Sequence, residues 1–240
     1  MSLEPVLPSA IARRLAAVHE RIAAAAGSVG RPPSSIRLVA VSKTFPLDFI
    51  RDAYAAGQRD FGENRVQEAL QKIADATDLG IRWHLLGHLQ TNKARRAAQS
   101  FATIHSVDTV DLLRRLDAAA ADAGREPELF IQVDLAGEAT KSGVPPSEVP
   151  RLLDAAGGCR VARVVGLMTV PPVPESPEDA RRWFRRLRDL RDGWMASGAP
   201  ASMLAELSMG MSGDFEVAIQ EGSTMVRVGT AIFGSRHVRH

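Results

Sequence analysis

Cysteine is almost missing from this chain: Cys159 stands alone, so an internal disulfide framework and any multi-cysteine zinc site are excluded. No apolar run approaches the roughly 18–20 residues of a membrane span. The opening segment, MSLEPVLPSAIARRL, lacks a basic stretch followed by a long apolar one, so no secretory leader is expected and the default address is the cytoplasm. Neither charge sign dominates, with 30 basic residues against 28 acidic ones, which gives no general pull toward nucleic acid. Lysine is scarce too. Only Lys43, Lys72, Lys93 and Lys141 occur, and every other basic residue is arginine. A chain that chooses arginine so consistently directs attention to each place where it keeps an amine.

What is present is an ordinary globular composition, 45% apolar and 24% charged over 240 residues, enough to bury a substantial core. Short β-rich runs alternate with helical patterns along the whole chain. The runs are Arg37–Ser42, Arg59–Glu63, Arg82–Leu86, Thr103–Val107, Leu129–Asp134, Val161–Met168, Ala205–Met209 and Thr224–Gly229. Helical periodicity falls on Leu47–Ala56, Arg65–Ala76, Asn92–Ser100, Thr109–Ala123, Pro146–Ala156, Pro177–Ala196 and Asp214–Gln220. Asp108 reads as a start signal for the fourth of these, and Ser176-Pro177 as one for the sixth. Eightfold alternation predicts an α/β fold, a (β/α)8 TIM-type barrel, in preference to a doubly wound open sheet. The run after the eighth strand is too short for a full closing helix. The amphipathic N-terminal stretch Ser9–Ala26, apolar at Ile11, Leu15, Val18, Ile22 and Ala25, is predicted to cover that gap. No long linker divides the chain, so a single domain over 1–240 is expected, with the barrel at about 36–235.

Barrels of this class carry chemistry at the C-terminal ends of their strands. Lys43 follows the first strand, Asn64 the second; Met168 and Thr169 end the sixth, and Ser208 to Ser212 lie at or after the seventh. A lysine held in the mouth between a buried strand and Thr44-Phe45-Pro46 loses hydration, and its neutral amine becomes a nucleophile able to form a Schiff base; a solvated strand-end lysine is the plainer alternative. Lys72 and Lys93 read as solvated helix-surface residues. Lys141 lies in the loop after the fifth strand. Met209-Gly210-Met211-Ser212-Gly213-Asp214, with Gly229-Thr230 after strand eight, matches the loops that usually build a barrel phosphate site, although Gly-Ser-Gly can also be a simple tight turn. Asp214 would repel an anion there unless its side chain turns away. A phosphate cradle and an amine nucleophile in one mouth together fit pyridoxal 5′-phosphate. Arg227, on strand eight, could then face the pyridine nitrogen. It would remain cationic and leave that nitrogen unprotonated, unless it is instead a buried partner for a carboxylate.

The segments VAVSKTFP (Val39–Pro46), FGENRVQE (Phe61–Glu68), WHLLGHLQTNKAR (Trp83–Arg95), IHSVD (Ile104–Asp108), KSG (Lys141–Gly143), GLMT (Gly166–Thr169), LSMGMSGDFEVAI (Leu207–Ile219) and GSTMVRVGTAIFG (Gly222–Gly234) closely resemble the pyridoxal phosphate homeostasis proteins. These form the YggS/proline synthase co-transcribed family, similar in fold to the N-terminal barrel of alanine racemase. The resemblance implies that Lys43 carries the cofactor as a Schiff base and that Asn64 lies beside the ring. It also implies that Ser212, Gly229 and Thr230 hold the phosphate while Arg227 faces the ring nitrogen. It further implies a cytosolic, mostly monomeric carrier or regulator of cofactor supply, exchanging with pyridoxal phosphate-dependent apoenzymes and lacking established turnover. His88, in GHLQ, departs from the family pattern and reads as a surface or capping residue.

The alternative is an amino-acid racemase of the alanine-racemase type. It needs a second acid/base on the far face of the ring, which in that family is a tyrosine from an additional C-terminal domain. Tyr54 is expected on the helix after strand one, away from the mouth, leaving His84, His88 and His105 as the histidines near the barrel. A non-catalytic binder is the expectation. Nucleic-acid binding through Arg181, Arg182, Arg185, Arg186, Arg188 and Arg191 is a third reading. It is disfavoured because Trp183, Leu187, Leu190 and Trp194 form the predicted core face, acidic residues dilute the outer one, and no stacking platform accompanies it.

Overall fold

The computed structural model describes residues 9–137 and 142–235; the predicted roles of Lys141 lie outside them. Among the described residues, eight parallel strands close into a barrel in chain order. They are β1 (Arg37–Val41), β2 (Asp60–Glu63), β3 (Arg82–Leu85), β4 (Thr103–Val107), β5 (Glu128–Gln132), β6 (Arg163–Met168), β7 (Glu206–Ser208) and β8 (Met225–Val228). Closure is made where β8 pairs with β1, Val39 opposite Arg227 and Ala40 opposite Val228.

Helices surround it: α1 (Ala10–Gly27), α2 (Leu47–Ala55), α3 (Val66–Asp75), α4 (Ala94–Ser100), α5 (Val110–Asp122), α6 (Val149–Ala156), α7 (Arg181–Ala196), α8 (Phe215–Gln220) and the single turn α9 (Thr230–Phe233). The Ser9 side chain caps α1 by accepting from the Ala12 N–H at 3.1 Å. The predicted stripe of α1, Ile11, Leu15, Val18, Ile22 and Ala25, is buried, and the helix packs against α8, α9 and α2. It therefore occupies the gap left after β8, as the periodicity predicts.

The main apolar core lies between strands and helices, while Val39, Phe130, Met168 and Met225 form a separate small cluster. The first residues of five strands, Arg37, Asp60, Arg82, Glu128 and Arg163, help to line a cavity of about 430 Å³. This charged floor is cross-linked by Arg82–Asp60 at 2.6 Å and Arg37–Glu128 at 3.5 Å.

Several local expectations need correcting. The helix predicted over Thr109–Ala123, α5, is capped by the Thr109 side chain, which accepts from Leu112 N, and not by Asp108. Three predicted helices open with 3-10 turns, at Thr91–Lys93, Pro146–Glu148 and Pro177–Ala180; the last carries a Ser176–Asp179 capping box. On α7 the fully buried residues are Phe184 and Leu187, and Trp183, Leu190 and Trp194 are only half-buried. The arginines of α7 are not simply solvated. Arg181, Arg185 and Arg188 converge at 2.9–3.0 Å on the buried Glu221 carboxylate, tying α7 to the end of α8.

Candidate functional site

Lys43, Asn64, Ser212, Gly229 and Thr230 all follow the C-terminal ends of their strands, and Arg227 lies within β8. Lys43 is half-buried, two positions beyond β1. The turn that carries it is held from behind. Thr44 adopts φ 67°, the left-handed region, and is alone among the described non-glycine residues in doing so. Its N–H donates to the Glu68 carboxylate at 2.6 Å. The Lys72 amine donates to the Ser42 carbonyl at 2.9 Å, to Glu63 at 2.8 Å and to Glu68 at 3.0 Å. Lys72 is thus a structural partner of the lysine turn, and its reading as a solvated residue is overturned. Glu63 is completely buried, and one of its oxygens has no hydrogen-bond partner. Burial pushes its carboxyl pKa up against the opposing pull of Lys72 and Ser42.

The segment after β8 meets this turn, and the loop after β7 joins it there. The Phe45 ring packs on Phe233 of α9, with centroids 5.2 Å apart. Gly229 sits so close to β1 that a Cβ there would lie 3.2 Å from the Val41 carbonyl oxygen. The Ser212 hydroxyl accepts from the Gly229 and Ala231 N–H groups at 3.1 and 3.4 Å, so the two predicted phosphate loops form one cradle of hydroxyl and backbone N–H groups. Thr230 is exposed at its edge. Asp214 does turn away: it is buried, and its carboxylate accepts from the Met211 N–H at 2.6 Å. That bond braces the loop. Burial also raises its pKa against the pull of the Met211 N–H and Arg227.

Arg227 is 4% exposed, and no carboxylate among the described residues pairs directly with its side chain. It donates instead to the Ser208 hydroxyl at 2.7 Å and to the Thr169 carbonyl at 2.9 Å. Burial lowers its pKa to about 10, partly countered by Asp214, which leaves it cationic at neutral pH. Asn64, half-buried, follows β2 and lies against the loop after β3, where a Cβ on Gly87 would come within 2.2 Å of the Asn64 carbonyl oxygen. His88 is exposed, 3.6 Å from Asp108.

The sequence reading missed what lies beneath Arg227. Ser208, His105, His84 and Asp60 are buried and linked in series through the barrel. The available signal was that each of them falls inside a predicted strand run.

The profile of the alanine racemase N-terminal domain family matches residues 14–237. A pyridoxal phosphate homeostasis protein of Aquifex aeolicus is 43% identical over 223 residues, covering 93% of this chain and 97% of that one. The chain belongs to the pyridoxal phosphate homeostasis protein family. A solved member-like structure, PipY of Synechococcus elongatus with pyridoxal phosphate bound, superposes with TM-score 0.80 at 43% identity, covering 93% of this chain and all of that one. Alanine racemase of Clostridium difficile shares the fold at TM-score 0.71 and 14% identity. This chain spans only 57% of that racemase, so the likeness speaks to the barrel alone.

Proposed function

We propose that the protein binds pyridoxal 5′-phosphate through a Schiff base on Lys43 and acts as a non-catalytic, cytoplasmic carrier or regulator of its supply. It would work as a single monomeric barrel that exchanges transiently with apoenzymes. The observation that carries this is the meeting of three elements in one mouth: the braced Lys43 turn, the Ser212–Gly229 cradle packed against it, and a cationic arginine on the neighbouring strand. When bound, the cofactor supplies an aldehyde that condenses with primary amines. The chain's residues fit the rest of that molecule. The Ser212 hydroxyl, which accepts from the Gly229 and Ala231 N–H groups, keeps its own proton to donate to a phosphate beside the Thr230 hydroxyl, and Asn64 would border the ring.

Arg227 argues for holding over turnover. A guanidinium with a pKa of about 10 donates a hydrogen bond to the pyridine nitrogen without releasing its proton, which keeps the ring a weak electron sink. Nor do His84 and His105 supply a second base for racemisation. Both nitrogens of His84 and of His105 are already engaged within the barrel, and burial holds both pKa values below the ordinary histidine range.

The test is an absorption spectrum of the loaded protein before and after borohydride reduction, with mass mapping of the labelled peptide. The expected label is on Lys43, and Lys43→Ala should remain folded and lose it. A label on another side chain would overturn the site, and robust alanine or serine racemisation that disappears in Lys43→Ala would overturn the carrier.

A further inference from the structure

Five buried side chains form an unbroken series from the charged floor of the barrel to its mouth. Arg227 Nη1 lies 2.7 Å from Ser208 Oγ, and Ser208 Oγ lies 2.9 Å from His105 Nδ1. His105 Nε2 lies 3.0 Å from His84 Nδ1, and His84 Nε2 lies 3.0 Å from Asp60 Oδ1. Asp60 then meets Arg82 at the floor. None of the five is more than 6% exposed.

With both buried rings neutral, the two ends dictate the direction of every bond between them. A guanidinium can only donate, and an ionised carboxylate can only accept. Arg227 therefore donates to Ser208, whose own proton goes to His105 Nδ1. His105 must then carry its proton on Nε2 and donate to His84 Nδ1, and His84 carries its proton on Nε2 and donates to Asp60. Both histidines are neutral and both are the same tautomer. No proton is missing and none is surplus. A second proton on His84 would fit only if His105 moved its own proton to Nδ1 and the Ser208 hydroxyl turned its hydrogen away, and burial, which lowers both histidine pKa values, opposes that.

We propose that Ser208, His105, His84 and Asp60 are positioning residues for Arg227, a one-way hydrogen-bond relay that fixes its guanidinium for the pyridine nitrogen and links that contact to the opposite end of the barrel. This deepens the cofactor reading above and rests on it. The relay and the Thr169 carbonyl occupy both terminal nitrogens of Arg227, leaving three of its five N–H groups for a ligand. The guanidinium is thus oriented before any cofactor arrives. The ring of His105 is itself fixed, stacked on Phe130 with centroids 4.6 Å apart and planes 6° from parallel. At the far end, the Asp60 carboxyl is opposed by its own burial, but His84 and Arg82 more than offset this and keep it ionised. Charge at the floor is thereby coupled to the mouth through polarisable neutral groups.

The relay makes a claim that needs no cofactor. In the wild-type chain at neutral pH, long-range proton–nitrogen NMR correlations of nitrogen-labelled histidine should show His84 and His105 each protonated on Nε2 and bare on Nδ1. A cationic ring, or a proton on Nδ1 of either residue, would overturn it even if no variant folds. The second arm uses protein loaded with pyridoxal phosphate. Ser208→Ala should lower cofactor affinity about tenfold, the scale of one hydrogen bond to a charged group, and shift the absorption maximum. Ser208→Thr should restore both. Asp60→Asn, at the other end of the barrel, should shift the maximum as well, which a merely local packing role for Ser208 would not produce. Label on Lys43 with unshifted spectra in folded Ser208→Ala and Asp60→Asn would sink the relay alone. A wild-type chain that takes up no pyridoxal phosphate would sink the cofactor reading, and with it the relay's role toward the cofactor.

Discussion

Lys72 donates to the buried carboxylate of Glu63 at 2.8 Å, across the gap between α3 and the end of β2. The same amine reaches the Ser42 carbonyl, so a single cation pins the end of β1 next to Lys43. Its removal leaves a fully buried carboxylate with an unpaired charge. Lys72→Met is expected to destabilise the fold by about 3 kcal/mol at pH 7. Glu63 already has a raised pKa, so the stability linked to its protonation is present at low pH and lost as pH rises through the folded value. Without the cation that value climbs further. The deficit should therefore shrink on acidification and be largely relieved in Lys72→Met/Glu63→Gln, both read by denaturant unfolding across pH.

The left-handed backbone of Thr44 is strained for a β-branched residue and is tied down by Glu68. Thr44→Gly removes the steric penalty and should stabilise the apo protein by up to about 1 kcal/mol. The same change loosens the turn that carries Lys43. Slower uptake of pyridoxal phosphate by a thermally more stable variant, followed by absorbance, is the expected pairing. Uptake at the wild-type rate would show that the turn needs no such bracing.

The Ser212 hydroxyl is the point where the two mouth loops meet. Ser212→Ala should weaken cofactor retention by about 1–2 kcal/mol, and Thr230→Val by a similar amount, if each hydroxyl binds phosphate. Equilibrium dialysis measures both. Thr230 is exposed, so its substitution should leave the melting temperature unchanged while affinity falls, which separates a binding effect from a folding one.

The barrel was readable because short β-rich runs such as Arg37–Val41 and Thr103–Val107 alternate with helical patterns along the chain. The mouth was readable for a topological reason: in a parallel barrel, residues that follow strands share one end. Position along the chain thus located Lys43, Asn64 and the Ser212 and Gly229 loops without any contact being known. Contacts between distant elements were not readable. Lys72 stands on a helix with the spacing of a surface residue, and only the fold brings Glu63 beneath it. His84 and His105 lie 21 residues apart in sequence and suggest nothing as a pair until β3 and β4 are set side by side. The arginines of α7 likewise look solvated until Glu221 is placed under them.

Asp117 of α5 is a carboxylate whose work is entirely structural. It is 7% exposed and accepts from the backbone N–H groups of Arg160, Val161 and Ala162 at 2.9–3.0 Å, holding the approach to β6 against α5. Burial acts to raise its pKa, but the N–H donors of Val161, Ala162 and Arg160 outweigh it and hold the carboxyl below the usual range. A depressed folded pKa contributes stability that is present above the unfolded value of about 3.9 and is lost as pH falls through the folded one. Asp117→Ala leaves the N–H groups without their acceptor and should cost about 2 kcal/mol at pH 7. Asp117→Asn keeps an acceptor oxygen and should cost less. The difference between wild type and Asp117→Asn should begin to narrow below about pH 4, as the carboxyl protonates in the unfolded chain, and close as pH falls through the lower folded value. Urea midpoints at pH 7 and in acid test this. An unchanged gap in acid would mean that shape, and not charge, is what the site requires.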